Sequence, residues 1–174
     1  MLARRGGISQ SRGVRLPLLS LMSQSHVDTP VPAGLWLAAG SGLVPFVVCL
    51  VLLKSAPEMA ERAVHAFIAY AALTLSFLGG ARWGAELVRA PAAPNVPRLV
   101  AAAMPSVVGL AALLPYLTAT QSLVLLLLCG LAQLGWDVQA SRAGLLPAWN
   151  ARVRTVMTAG GTVCSVAMLL LSPI

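Results

Sequence analysis

Long apolar runs, separated by short polar or proline-containing segments, make up most of this chain. A helix rises about 1.5 Å per residue, so roughly 20 apolar residues cross the ~30 Å hydrocarbon core of a bilayer. The first run begins at Ala33 and contains 21 residues without a charge. The pattern predicts an all-α fold: one five-helix membrane domain over 33–172, with spans at about 33–53, 64–84, 99–117, 121–136 and 155–172.

Signals at the ends of the second span predict a helix that projects beyond the bilayer. Ser55 and Glu58 match a capping box, in which each side chain bonds a backbone N–H of the other residue. The helix is then expected to run from about Ala56 to Arg89. Only the middle of this helix is apolar, and the whole helix is longer than the bilayer is thick. Both of its ends should therefore extend into the polar interface.

Prolines and glycines predict where the other helices bend or stop. Pro45 is expected to kink the first span. Pro105 and Pro115 leave two alternatives for the third run, a complete crossing or a re-entrant pair. Gly144 is expected to end the fourth helix, and Pro147 to begin a helix whose first turns, with Trp149 and Val153, lie along the interface ahead of the fifth span.

The first 30 residues differ in composition from the rest of the chain. Residues 1–21 contain arginine and serine and no acidic residue, which is typical of an organellar transit segment. Met22 offers a second possible start, so the first 21 residues are alternatively an over-extended gene start. Under either interpretation we expect 1–30 to be disordered.

The amino-acid composition indicates that lipid surrounds most of this protein. The 174 residues are 58% hydrophobic and only 10% charged, against roughly a quarter charged in soluble domains. A lipid bilayer is therefore the expected partner. The net charge of +7 does not indicate nucleic-acid binding, because four arginines lie in the first fifteen residues and no segment interleaves basic and aromatic residues.

The distribution of basic residues predicts how the chain is threaded. With five spans, ten Lys and Arg residues fall on the side of the N-terminus and two on the other side. The positive-inside rule then places the N-terminus inside and the C-terminus outside, in a bacterial inner membrane or alternatively in the mitochondrial inner membrane. Three tryptophans fall at the inner boundary and are predicted interface anchors: Trp36, Trp83 and Trp136.

Ionisable residues near the inner boundary are the sharpest candidates for a functional site. Arg82 and Glu86 are one helical turn apart, and Asp137 lies at the same depth at the end of the fourth span. One interpretation pairs Arg82 with Glu86 and predicts that these three, with Arg142 and Arg152, form an inner-face polar cluster. The other is that Arg82 is an anchor that extends to the interface and Glu86 its solvated neighbour, which their position at a membrane edge favours.

Glycines in the second span predict a helix-packing surface. Gly79, Gly80 and Gly84 are the candidates, and Gly80 and Gly84 share one helix face. Small residues spaced by four allow another helix to approach closely. On this basis, Gly80→Leu and Gly84→Leu are expected to reduce the amount of folded protein more than Arg82→Gln does.

The sequence gives no pattern typical of an enzyme. We find no catalytic or phosphate-binding motif, and we predict no cofactor and no metal site. His65 has no second ligand at a suitable spacing, and the three cysteines lie far apart within apolar runs. No span carries an acidic residue near its middle, which argues against ion-coupled transport.

Two motifs resemble those of a known family, the membrane proteins described as domain of unknown function 3429. The motifs are Leu75-Ser76-Phe77-Leu78-Gly79-Gly80-x-x-Trp83-Gly84 and Pro147-x-Trp149-x-x-Arg152. The resemblance covers roughly residues 33–172. It implies a small multi-pass membrane protein of proteobacteria, with relatives in mitochondria, and it implies no activity.

Two hypotheses for function follow from these observations. The first is a non-enzymatic accessory or assembly component that binds other membrane-protein subunits. This hypothesis follows because the chain has small-residue faces suited to helix packing and no motif typical of catalysis. The alternative is a conduit for small solutes or protons that uses Arg82, Glu86 and Asp137.

Overall fold

Helices form the regular structure of residues 33–172, the range that the computed structural model describes. Five segments of this range are long and apolar enough to cross a membrane, so the prediction of an all-α fold with five spans is confirmed. The tail predicted at 1–30 lies outside the described residues. The helices are α1 (Ala33–Ser41), α2 (Val44–Ser55), α3 (Ala60–Arg89), α4 (Val96–Leu113), α5 (Ala119–Arg142) and α6 (Ala148–Leu171).

The first span is interrupted between α1 and α2. Tight-turn hydrogen bonds form there, from Gly42 N to Ala39 O at 2.9 Å and from Leu43 N to Gly40 O at 3.0 Å. The Tyr70 hydroxyl donates to the Gly42 carbonyl at 2.9 Å. Pro45 lies in the first turn of α2. The chain therefore breaks before the proline instead of kinking at it, and α3 satisfies a carbonyl that the break exposes.

The capping box predicted at the start of the second span is wrong. Ser55 is the last residue of α2, and its hydroxyl donates to the Val51 carbonyl at 2.8 Å. A 3₁₀ turn, Pro57–Met59, leads into α3 without a side-chain cap. Because the first span continues through Ser55, this side chain bonds the preceding turn and not the following one.

Helix α4 is continuous and contains Pro105, so the re-entrant alternative is not adopted. It ends at Leu113, which places Pro115 outside the helix. A capping box does occur at the start of α5. There the Thr118 hydroxyl accepts from Gln121 N at 3.2 Å, and the Gln121 side chain accepts from Thr118 N at 2.9 Å.

Gly144 ends α5 as predicted, with a φ of 70° that favours glycine. Leu145 N bonds Ala140 O at 2.9 Å and Gly144 N bonds Ser141 O at 3.1 Å, the two bonds of a Schellman motif. Pro147 caps the start of the last helix, so the helix start predicted there is confirmed. The chain continues as one helix, α6, from Ala148 to Leu171.

The largest buried apolar side chains and the buried charged residues occupy different ends of the bundle. Phe67, Leu123 and Met168 are almost fully buried, and the Phe46 ring packs edge-on against Phe67 with centroids 4.9 Å apart. Some 14 or 15 residues separate this core from the buried charges along α3, α5 and α6, about 20 Å of helix. We call the charged end, which contains Arg82, the ion-pair end.

Candidate functional site

Three helices meet at a buried ion triad. Asp137 of α5 is 1% exposed and lies between Arg82 of α3 and Arg154 of α6. Arg82 donates from Nε (2.5 Å) and from Nη2 to Asp137 Oδ1, and Arg154 Nε donates to Oδ2 at 2.7 Å. The two arginine side chains are only 9% and 12% exposed. The triad therefore joins α3, α5 and α6 through charges that are withdrawn from solvent.

Trp136 contributes to this triad. The Arg82 guanidinium lies over its indole ring, 4.3 Å from the centroid, in the geometry of a cation–π interaction. Trp136 therefore faces the inside of the bundle in addition to its predicted place at the membrane boundary. The other two predicted anchors, Trp36 and Trp83, are exposed large side chains.

Glu86 belongs to a second ion pair and not to the triad. Arg89 donates from Nε to Glu86 Oε2 at 3.0 Å and from Nη2 to Oε1 at 2.5 Å. Arg98 Nη1 lies 3.8 Å from Oε2, and the backbone N–H of Asn95 donates to Oε1 at 3.1 Å. The predicted Arg82–Glu86 pair is wrong, because Asp137 binds Arg82 while Glu86 faces the positive N-terminal end of α4.

A cavity of about 240 Å³ adjoins both ion pairs. We call it the arginine cavity, because Arg82, Arg89 and Arg98 line it together with Glu86. Gln139 and Trp136 of α5 and the apolar side chains of Leu145 and Leu146 complete much of its wall. The structure thus brings Arg82, Glu86 and Asp137 to one end of the bundle, with the first two on a shared cavity.

The closest helix packing near this site involves Gly79. A Cβ at Gly79 would overlap the carbonyl oxygen of Ala102 on α4. Farther along the same pair of helices, a Cβ at Gly109 of α4 would meet Ala72 O at 3.1 Å and Ala72 Cβ at 3.3 Å. Helices α3 and α4 therefore approach each other closely at two small-residue contacts.

The packing surface predicted at Gly80 and Gly84 is not used within this chain. Both glycines are exposed, and a Cβ at either position would have no atom within 4 Å among the described residues. Successive residues of a helix are rotated by about 100°, so the face that contains Gly79 points to α4 while the face of Gly80 points outward. For the folded chain itself, the prediction about Gly80 and Gly84 is wrong.

Comparison with known proteins identifies the family. A family profile described as "Protein of unknown function (DUF3429)" matches residues 31–170. The chain belongs to this family. Transmembrane protein 69 of Xenopus tropicalis is 32% identical to this DUF3429 chain over 145 residues, which cover 82% of the chain and 55% of that relative. The chain thus spans about half the length of the curated relative, and no solved structure matches it.

Family membership confirms the resemblance found in the two motifs. It establishes an uncharacterised multi-pass membrane protein. The first motif also contains a structural residue of this DUF3429 protein, since Gly79 packs against α4.

Three arginines of the site were missed by sequence reasoning: Arg89, Arg98 and Arg154. A signal for the first was available, because Arg82, Glu86 and Arg89 recur at intervals of four and three and so share a helix face. Arg154 was placed in the segment between the fourth and fifth spans, which separated it from the bundle. Once α6 is continuous, Arg154 enters the bundle at the depth of Asp137.

The remaining candidate side chains have ordinary surroundings. The His65 ring lies 2.9 Å from the Glu61 carbonyl of its own helix. Cys49 and Cys164 are buried, free thiols, and Cys129 is partly buried. Within residues 33–172, no three His, Cys, Asp or Glu side chains are grouped so that they would hold a metal ion.

Proposed function

We propose that this DUF3429 protein is a non-enzymatic accessory or assembly component of a membrane-protein complex. The observation that carries the proposal is the side of α3 that faces away from the core. It presents exposed residues at intervals of three and four, with large apolar side chains on both sides of two glycines. We call this the outer face of α3; its residues are Leu73, Phe77, Gly80, Gly84 and Val88.

The physics of helix association in lipid supports a docking role for this face. Lipid is as apolar as leucine, so membrane helices associate through close packing and not through the hydrophobic effect. Gly80 and Gly84 form a recess between Phe77 and Val88, and the described part of the chain leaves it open. A helix of another subunit fits such a recess with its backbone close to that of α3.

The use of the ionisable groups supports a non-enzymatic role. Asp137 is held between two arginines, and Glu86 is bonded by Arg89 and by a backbone N–H. Both carboxylates thus act to fix helices against one another. A general base needs a carboxylate that is free to accept a proton from a substrate.

The outer face of α3 gives a direct test. We expect the parent chain, isolated from native membranes in mild detergent, to copurify with a near-stoichiometric partner. The double variant Gly80→Leu/Gly84→Leu should lose that partner, because the leucines fill the recess. Its thermal stability should stay within about 0.5 kcal/mol of the parent, since both positions are exposed.

Gly135→Leu is the matched control for this experiment. Gly135 is also an exposed helical glycine with open space around it, but it lies on α5. The control should retain the partner, as identified by crosslinking and mass spectrometry. Equal loss of the partner in Gly135→Leu, or a parent chain without any partner, would contradict the accessory role.

A conduit for small solutes or protons receives less support. The arginine cavity occupies one end of the bundle, while Phe67, Leu123 and Met168 fill the other end and are at most 2% exposed. A polar path would have to cross this apolar core. Reproducible flux through liposomes that contain only the purified protein would favour the conduit instead.

We propose further that the ion-pair end faces the inside of a bacterial inner membrane; the mitochondrial inner membrane, with this end in the matrix, is the alternative. The excess of basic residues on this side supports the orientation. Cysteines introduced as Ala56→Cys and Ala143→Cys should therefore react with a membrane-impermeant maleimide from outside and from inside, respectively. The parent chain measures labelling of the native cysteines. Labelling of both new cysteines from one side would contradict the five-span threading.

A further inference from the structure

The arginine cavity carries more positive than negative charge. Three guanidinium groups line it, those of Arg82, Arg89 and Arg98, together with the one carboxylate of Glu86, which leaves an excess of two positive charges. Asp137 and Arg154, the other two members of the triad, carry opposite charges that cancel and do not change this excess. In hydrocarbon or at its edge such an excess is costly unless a counter-charge lies nearby.

The side chains of the cavity also have more hydrogen-bond donors than acceptors. Each guanidinium has five N–H donors and each carboxylate about four acceptor positions, so roughly fifteen donors on the cavity wall outnumber about four acceptor positions on Glu86, even though Arg82 also donates to Asp137. Arg89 donates two hydrogen bonds to Glu86, whereas Arg98 lies within ion-pair distance of it at 3.8 Å without a hydrogen bond. Both arginine side chains are still 40% exposed beside the cavity. Donors therefore remain for a further acceptor at this point.

The geometry points to a phosphate group as that acceptor. We propose that the arginine cavity binds a phosphate, either on the headgroup of an anionic lipid or as the free anion. Guanidinium groups match phosphate oxygens through paired N–H bonds. Basic pockets between membrane helices on the inner side are suited to anionic headgroups. The apolar walls at Leu145 and Leu146 fit the start of a lipid's glycerol and acyl chains.

This site is separate from the proposed docking face. The outer face of α3 recognises a helix through Gly80 and Gly84, whereas the cavity recognises an anion through the arginines that line it. The two proposals are therefore independent, and an experiment that contradicts one does not contradict the other.

The test uses the full-length chain purified in detergent. Binding is measured by native mass spectrometry with phosphatidylglycerol and with phosphatidylcholine at equal concentration, and by thermal shift with inorganic phosphate against chloride at equal ionic strength. We expect phosphatidylglycerol to bind at least about tenfold more tightly than phosphatidylcholine, because only the former brings a net negative charge.

Two variants with matched controls locate the site. Arg98→Gln should weaken anion binding roughly tenfold by removing a charged donor, whereas Arg62→Gln, at the opposite end of α3, should leave binding unchanged. Gln139→Glu adds a negative charge to the cavity wall without breaking an ion pair and should weaken binding similarly. Its control is Gln121→Glu, which preserves the capping box at the other end of α5.

Each outcome of these measurements decides the proposal or the source of the phosphate. Tight binding of phosphatidylglycerol alone supports a lipid headgroup, binding of phosphate alone supports the free anion, and competition between them supports one site for both. Equal binding of phosphatidylcholine, no binding of either anion, or unchanged binding in Gln139→Glu would overturn the proposal.

Discussion

Asp137→Ala is expected to destabilise the folded protein by ~3–5 kcal/mol. The substitution removes the carboxylate that both Arg82 and Arg154 bind, and it leaves two buried guanidinium groups facing each other without a counter-charge. Breaking a buried ion pair is costly because the remaining charge keeps its desolvation penalty after the attraction is gone. We expect the loss as a lower thermal unfolding temperature in detergent.

Two further variants make this result specific to the triad. Glu61→Ala removes an exposed carboxylate in the first turn of the same α3 and should cost less than about 1 kcal/mol. The triple variant Arg82→Met/Asp137→Leu/Arg154→Met should recover most of the loss, since well-packed apolar residues often replace a buried triad without cost. If Asp137→Ala unfolds at the temperature of Glu61→Ala, the triad does not stabilise the fold.

The five spans were predictable because each depends on a property of one segment alone. Apolar length decides whether a segment crosses a membrane, and it identified all five crossings. The local breaks were harder to assign. The interruption at Gly42–Leu43 precedes Pro45, and Pro105 remains inside α4. A neighbouring helix can bond the backbone carbonyls that a break exposes, as the Tyr70 hydroxyl does for Gly42. Because that bond comes from another helix, the sequence of the broken segment alone does not locate the break.

The partners within the site depend on rotation about each helix axis, which the sequence constrains only weakly. Arg82 and Asp137 were expected at one depth because each lies near the same end of its span, and the structure joins them. Glu86 was assigned to Arg82 from a spacing of four. Arg89, three residues farther along α3, binds it instead. Arg98 of α4 lies 3.8 Å away, and no spacing within α3 predicts this contact between helices.

Two adjacent glycines of α3 should respond in opposite directions to the same substitution. A Cβ at Gly79 overlaps a backbone oxygen of α4, so Gly79→Ala forces the two helices apart and should cost ~1–3 kcal/mol. Gly80 has open space in the direction of its Cβ. Gly80→Ala should therefore be neutral or stabilising by up to about 1 kcal/mol, because alanine favours a helix more than glycine does. Thermal unfolding in detergent compares the two.

Gly84→Ala and Arg82→Gln complete this series. Gly84→Ala should follow Gly80→Ala, since both positions lie on the outer face of α3. Arg82→Gln should be less stable than both Gly80→Leu and Gly84→Leu, because Arg82 is bonded to a buried carboxylate while a Cβ at either glycine meets no other helix among residues 33–172. This order is the reverse of the one expected from glycine spacing alone. If Gly79→Ala proves as stable as Gly80→Ala, α3 and α4 are not in backbone contact at Ala102, and the helix must be rotated toward the face that the spacing of Gly80 and Gly84 first indicated.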